Sequence, residues 1–321
     1  MLTTFFFKKD EPIKTNLTRA EMLAAHSRKD GLLWVDLETP TEFEEECLIE
    51  IFNFHDLAID DCLNDLSQPK VDDYEEYLFL VAHAASLQEG VLKTTELDVF
   101  LGPNYVVTFR KEKIPSVDQM QEQVQKKPDA YMGHGGDTLT YFILDHLVDS
   151  YQPVIDQYEE KIDKLEEEIF NHPAKDYLST IMQAKRDIFQ FRRIVAPQRD
   201  AFNFLVHNPN EFIKTENLMY FRDVYDHLYR IYGSIDGFHE ALSGILQAYF
   251  SYNSHQLNRT IQRMTVMATL TMPAVIIASI YGMNFKYMPE LDWKWGYPFS
   301  YVLMALTSFG LLGWMKFKKW I

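Results

Sequence analysis

The chain has 321 residues, with 31 Lys and Arg against 47 Asp and Glu and a formal net charge of −16. From Arg263 onward six cations face two anions, a net +4, so the first 262 residues carry −20. That sign repels nucleic acid and excludes a nucleic-acid binder, whereas it suits a protein that gathers cations as well as one that only stays soluble.

The opening run Met1-Leu2-Thr3-Thr4-Phe5-Phe6-Phe7-Lys8-Lys9-Asp10 is too short in its apolar part for a signal peptide, so the N-terminus is expected inside the cell. Cys47 and Cys62 have no metal-type spacing and form no disulfide framework, which fits a reducing compartment. Leu32-Leu33-Trp34-Val35, Tyr77-Leu78-Phe79-Leu80-Val81 and Tyr105-Val106-Val107-Thr108-Phe109 are β-branched or aromatic-rich and predict strands. Gly102-Pro103-Asn104 predicts a turn between two of them, and residues 41–65 read as helical. Residues 1–136 are thus expected to form a cytoplasmic α/β domain with a small sheet.

From Asp137 the pattern turns helical. Gly133–Gly136 is a break, Asp137 or Thr138 suits an N-cap, and Pro153 should kink or bound the first helix. Asn171-His172-Pro173 predicts the turn between two helices of a hairpin over residues 137–217, and the charge-dense run 158–168 reads as an exposed face. No proline falls between Pro209 and Pro273. Leu228, Ile231, Ile235, Phe238, Leu242, Ile245 and Tyr249 recur at spacings of three and four, a heptad-like seam. At 1.5 Å per residue a helix from Leu218 to Tyr281 reaches about 95 Å. Self-association is the expected use of such a seam, and packing on the chain's own domain is the other.

Residues 264–285 and 296–315 contain no Asp, Glu, Lys or Arg. Each is long enough to cross a hydrocarbon core of about 30 Å. Arg259 and Arg263 precede the first stretch, and Lys316, Lys318 and Lys319 follow the second. The intervening Lys286 and Lys294 are balanced by Glu290 and Asp292, so both termini are expected in the cytoplasm. The expected segments are a long-helix funnel (218–263), a first transmembrane helix (264–285), an external loop (286–296), a second transmembrane helix (297–315) and a basic tail (316–321).

Tyr281-Gly282-Met283-Asn284-Phe285, then Tyr287-Met288-Pro289-Glu290-Leu291, then Trp293-Lys294-Trp295-Gly296-Tyr297-Pro298 and a second span resemble the CorA magnesium transporter family, whose signature is Gly-Met-Asn. The likeness extends upstream through Tyr220-Phe221-Arg222-Asp223-Val224-Tyr225-Asp226-His227 and Ile162-Asp163-Lys164-Leu165-Glu166-Glu167-Glu168.

The resemblance implies an α+β fold class: an N-terminal cytoplasmic α/β domain, a funnel of long helices and two C-terminal transmembrane helices, assembled in membrane lipid as a homopentameric channel. It implies inward Mg2+ transport driven by the membrane potential across a bacterial or archaeal plasma membrane, with Co2+ or Ni2+ as poorer substrates. Gly282, Met283, Asn284 and Glu290 would form the selective mouth. Gly282 lets the backbone turn, and Asn284 offers a carboxamide to the hydration shell of an ion that gives up water reluctantly. By residue type alone, Asn284 equally suits a helix C-cap. The family's pore positions correspond to Asn258, Ile261, Met264, Met272 and Val275. The apolar ones could gate by dewetting, or simply pack. Val275 stands where the family carries a hydroxyl, and Gln247 where it often carries a carboxylate.

Regulatory Mg2+ would sit between subunits on Asp61, with Asp60 beside it, and on Asp223. A secondary site would use Glu159 and Asp163, four apart on one helical face. Solvated acidic surface is the plain alternative for these carboxylates. His227, His239 and His255 read as helix-surface or interfacial residues rather than ligands. A zinc transporter of the ZntB type shares the architecture, but Met283 and the scarcity of nitrogen or sulfur ligands favour magnesium. A non-conducting membrane-tethered Mg2+ sensor is the other rival. No phosphate loop, nucleophile elbow or His-Glu-x-x-His run points to an enzyme.

Overall fold

The structure is a computed structural model and describes all residues except 65–67, 89, 172–175, 209, 319 and 321. The chain divides into two compact units, Met1–Leu246 and Gln247–Ile321.

The first unit opens with β1 (Leu2–Phe7), β2 (Lys14–Thr15), α1 (Arg19–Arg28), β3 (Leu32–Glu38), α2 (Glu42–Glu50) and α3 (Asp56–Leu63). There follow β4 (Lys70–Asp73), β5 (Leu78–Gln88), β6 (Val91–Leu101), β7 (Tyr105–Arg110), α4 (Pro115–Lys126) and α5 (Pro128–Met132). Three longer helices succeed them, α6 (Gly136–Asp149), α7 (Gln152–Asn171) and α8 (Leu178–His207). Helix α9 (Leu218–Tyr281) begins in the first unit and ends in the second, which also holds α10 (Gly296–Phe317).

Among the described residues seven strands lie in the order β2-β1-β3-β7-β6-β5-β4, and only β3 and β7 pair in parallel. Residues 32–37 of β3 are buried without interruption, as expected of a central strand covered on both faces. Leu33, Val35 and Leu37 join a core with Met22, Leu48, Ile51, Phe54 and Ile59 from the side of α1, α2 and α3. The opposite parity carries Asp36, which meets Gln121 of α4 at 2.7 Å. Arg110 Nη2 lies 2.9 Å from Asp36, 2.8 Å from Glu38 and 2.7 Å from Asp118. Arg110 and Asp36 are each 1% exposed, so each compensates a charge that burial would otherwise make costly.

The expected strands are present as parts of β3, β5 and β7, but β1, β2, β4 and β6 are additional. The turn at Gly102 joins β6 to β7, with Gly102 N–H donating to the Tyr105 carbonyl at 3.0 Å. Residues 41–65 are not one helix. They break between α2 and α3, where Asn53 takes a left-handed φ of 51°. Asp65 lies outside the described residues, as do His172 and Pro173 of the expected turn, Pro209 and Lys319.

Helix α6 starts earlier than an Asp137 or Thr138 N-cap would place it, with Gly135 at φ 121° in the N-cap position, two residues before Asp137. Asp137 instead accepts from the Lys214 backbone at 3.1 Å and the Asn217 amide at 2.8 Å, which ties α6 to the approach of α9. Pro153 sits in the first turn of α7, where its missing N–H costs no helical bond. The run 158–168 is amphipathic rather than wholly exposed: Tyr158, Ile162 and Leu165 are buried between exposed acids.

Of the two uses open to the seam on α9, packing within the chain is seen. Leu228, Ile231, Ile235, Leu242 and Ile245 are already buried within one chain. Polar contacts fix the same helix to α8: Arg192 donates to Tyr232 at 3.0 Å and pairs with Asp236 at 3.3 Å, and Lys185 donates to Ser243 at 2.9 Å. The heptad spacing therefore serves packing inside the subunit, because one apolar stripe suits any helical neighbour.

Candidate ion pathway and metal-binding groups

In the second unit α9 runs through Pro273 to Tyr281. Hydroxyls along it bond back to the preceding turn, Thr265 to Ile261, Thr269 to Thr265 and Ser279 to Val275, so their polarity is satisfied inside the helix. Asn258, Ile261, Met264, Met272 and Val275 fall within one arc of this helix, since steps of three and eleven residues return to the same face. All five are exposed within the unit. Helix α10 joins α9 through Ser308, which donates to the Leu270 carbonyl at 2.9 Å, and through Gln262, which donates to the Trp320 carbonyl.

The helix stops at the signature. Gly282 N–H donates to the Ala278 carbonyl at 3.0 Å and Met283 N–H to Ile280 at 3.2 Å. Gly282 is not among the left-handed glycines. A Cβ there would lie 3.3 Å from the Ala278 oxygen, a tight contact. Asn284 is not left-handed either, which removes the usual ground for a C-capping asparagine. Its carboxamide is exposed and makes no hydrogen bond among the described residues.

The loop beyond is folded rather than loose. Leu291 N–H donates to Met288 at 3.1 Å and Gly296 N–H to Trp293 at 2.9 Å. A Cβ on Gly296 would lie 2.3 Å from the Glu290 carbonyl oxygen, so only glycine fits. Glu290 and Val275, expected at the mouth and along the pore, line one cleft of about 700 Å3 with Tyr281, Lys294 and Tyr301. Trp293, Trp295 and Tyr297 around the start of α10 match an interfacial aromatic belt.

In the first unit Asp60 and Asp61 lie on α3, Glu159 and Asp163 on α7 and Asp223 on α9. Asp61 is engaged by Lys70 at 2.7 Å. Among the described residues, Asp60, Asp61, Glu159 and Asp163 join no three-donor group within one chain. A different set does. The donor atoms of Asp145, Asp149 and His227 lie within 4.8 Å of one another. His227 stands between two carboxylates, its Nδ1 3.8 Å from Asp149 and its Nε2 3.9 Å from Asp223. Asp149 and His227 line a cleft of about 320 Å3 together with Arg230. Burial first, and then the charge of Asp149, raises the Asp145 pKa above its ordinary value.

His227, read from the sequence as a helix-surface or interfacial residue rather than a ligand, stands at the centre of this group. The signal was present in two i, i+4 pairs, Asp145 with Asp149 and Asp223 with His227, each confined to one helical face. Such pairs become a site only when α6 and α9 lie side by side, which spacing does not state.

The profile of the family described as CorA-like Mg2+ transporter protein matches residues 29–319. The chain is 35% identical over 275 residues to the cobalt/magnesium transport protein CorA of Thermotoga maritima, covering 85% of this chain and 78% of that protein. It is 34% identical over 290 residues to the protein YfjQ of Bacillus subtilis, covering 89% of each. The complete structure of the CorA magnesium transporter from Methanocaldococcus jannaschii matches with a TM-score of 0.86 over 100% of this chain and 99% of that one, a likeness of fold at 19% identity. A profile match running almost the whole length of the sequence, joined to full-length relatives, places the chain in the CorA-like Mg2+ transporter family.

Proposed function

We propose that five copies of this chain form a plasma-membrane channel for inward Mg2+ flow, with Co2+ as a poorer substrate and both termini in the cytoplasm. Residues 264–285 line the pore, 297–315 surround it, 286–296 form the external loop, and 218–263 form the funnel. The remaining segments are the α/β domain over 1–136, a helical region over 137–217 that has three helices, α6 to α8, rather than the two of the expected hairpin, and the basic tail over 316–321.

The observation that carries this reading is Asn284: an exposed, uncommitted carboxamide just beyond the end of an apolar helix. Mg2+ holds six oxygens in a tight octahedron and dehydrates reluctantly, so a ring of carboxamides hydrogen-bonds the hydration shell without replacing it. The carbonyl ends of the α9 helices add partial negative charge at the same mouth. Met283 and Glu290 flank that ring, and Gly282 leaves room for close approach. Deeper in, Asn258 supplies a second polar ring, while Ile261, Met264, Met272 and Val275 form apolar constrictions that close by dewetting.

Mg2+ bound on the cytoplasmic side closes the pore. Asp61 with Asp60 on one subunit and Asp223 on the next repel when empty and are bridged when filled, so the metal favours the packed arrangement. Glu159 and Asp163 add a secondary site, and Asp145, Asp149 and His227 extend the acidic surface around Asp223. The test is Mg2+ flux into proteoliposomes as internal Mg2+ is varied, paired with the mass of the solubilised complex. A monomer, or flux indifferent to internal Mg2+, overturns the assembly or the regulation respectively.

A further inference from the structure

Asp61 already has a cation. Lys70, the first residue of β4, places its Nζ 2.7 Å from Asp61 Oδ2 and 2.7 Å from Asp72 Oδ2. Its position is fixed by the ladder, where Lys70 pairs with Val81 and Asp72 with Phe79 of β5. The ammonium also lies 5.6 Å from the centroid of the Phe79 ring. Asp61, Asp72 and Lys70 are 30%, 40% and 36% exposed, so all three can be reached from solvent.

We infer that Lys70 is a tethered competitor for the divalent cation at Asp61, its ammonium filling the position between Asp61 and Asp72 that a metal ion would take. The inference rests on the metal-sensing role proposed for Asp61. A divalent ion entering here breaks two N–H···O contacts and meets a fixed positive charge unless Lys70 swings away. Lysine suits that task, because it is a compact, strongly hydrated charge on a flexible stem. The site then fills only where the ion outcompetes the lysine, which sets a weaker apparent affinity than bare carboxylates would give. Partly exposed ion pairs of ordinary strength correspond to an effect of about three- to tenfold.

The test uses the full-length protein in detergent, titrated with MgCl2 and read as protection from limited proteolysis. Lys70→Met should move the midpoint about three- to tenfold lower in Mg2+. Lys70→Arg, which keeps a cation and pairs with carboxylates in a fork, should hold the midpoint at or above the wild-type value. Lys93→Met removes a lysine paired instead with Glu112 at 2.6 Å and should change nothing. The Lys70→Met shift should vanish in an Asp61→Asn background. An unmoved midpoint in Lys70→Met, a lowered one in Lys70→Arg, or an equal shift in Lys93→Met overturns the competitor while leaving Asp61 in place, provided Asp61→Asn itself weakens protection. If Asp61→Asn has no effect on the otherwise native protein, the sensing role of Asp61 falls and this inference falls with it.

Discussion

The two units treat polarity in opposite ways. In the first, the buried Arg110 and Gln198 anchor networks of polar contacts. Arg110 meets three carboxylates, and Gln198 accepts from the His83 backbone at 3.0 Å and from Tyr151 at 3.2 Å. In the second, none of the apolar window of α9 and 11% of that of α10 is buried. Hydroxyls such as those of Thr265, Thr269 and Ser279 turn inward onto their own helix, and the Asn284 carboxamide makes no hydrogen bond among the described residues. A domain that folds in water hides its apolar side chains and ties its polar ones, because an unpaired buried group is costly. A unit with two apolar spans displays its apolar side chains, since lipid rather than water is the solvent such surfaces suit.

Substitutions put that contrast to the test. The largest expected effect belongs to Asn284→Ala, which should reduce Mg2+ flux in proteoliposomes to background while the complex keeps its native mass. Residual flux near the wild-type rate would deny the free carboxamide its role. Next is Arg110→Met, which strands Asp36 in the core and should cost the first unit about 3–5 kcal/mol, read as a lowered denaturation midpoint. A smaller loss would mean that water reaches the site. Gly296→Ala forces the Glu290 carbonyl to move and should destabilise the loop by about 1–3 kcal/mol, visible as reduced flux with unchanged melting of the first unit. Asp223→Ala should have the mildest effect, raising uptake at millimolar internal Mg2+ by about fivefold and weakening protease protection of the long helix. Unaltered inhibition there would remove Asp223 from sensing.

Some of this architecture was legible because the signal was local. Twenty uncharged residues read as a span wherever they fold, and β3, β5 and β7 announce themselves by continuous apolar runs. Strand β6 was hidden, since Lys93, Thr94, Thr95 and Glu96 dilute its apolar residues. The helix expected over 41–65 failed at Asn53, where a left-handed residue turns the chain so that α2 and α3 can both face the sheet. The acids on α3, α7 and α9 could be placed on helices, but not their partners. Lys70 lies nine residues from Asp61, and nothing in that spacing says that a strand edge brings them together.

The order of residues by itself determined the class of protein: a strongly acidic body, two stretches able to cross a membrane and a Gly-Met-Asn signature between them. These are properties of composition, length and adjacency, which survive any fold. Only the tertiary structure decided which neighbour each surface meets. It turned the heptad stripe of α9 onto helices of its own chain, gathered Asp145, Asp149 and His227 from two helices, and gave Asp61 to Lys70. Periodicity shows which side of a helix is apolar or charged, but the partner is chosen by packing and by charges that lie far away in sequence.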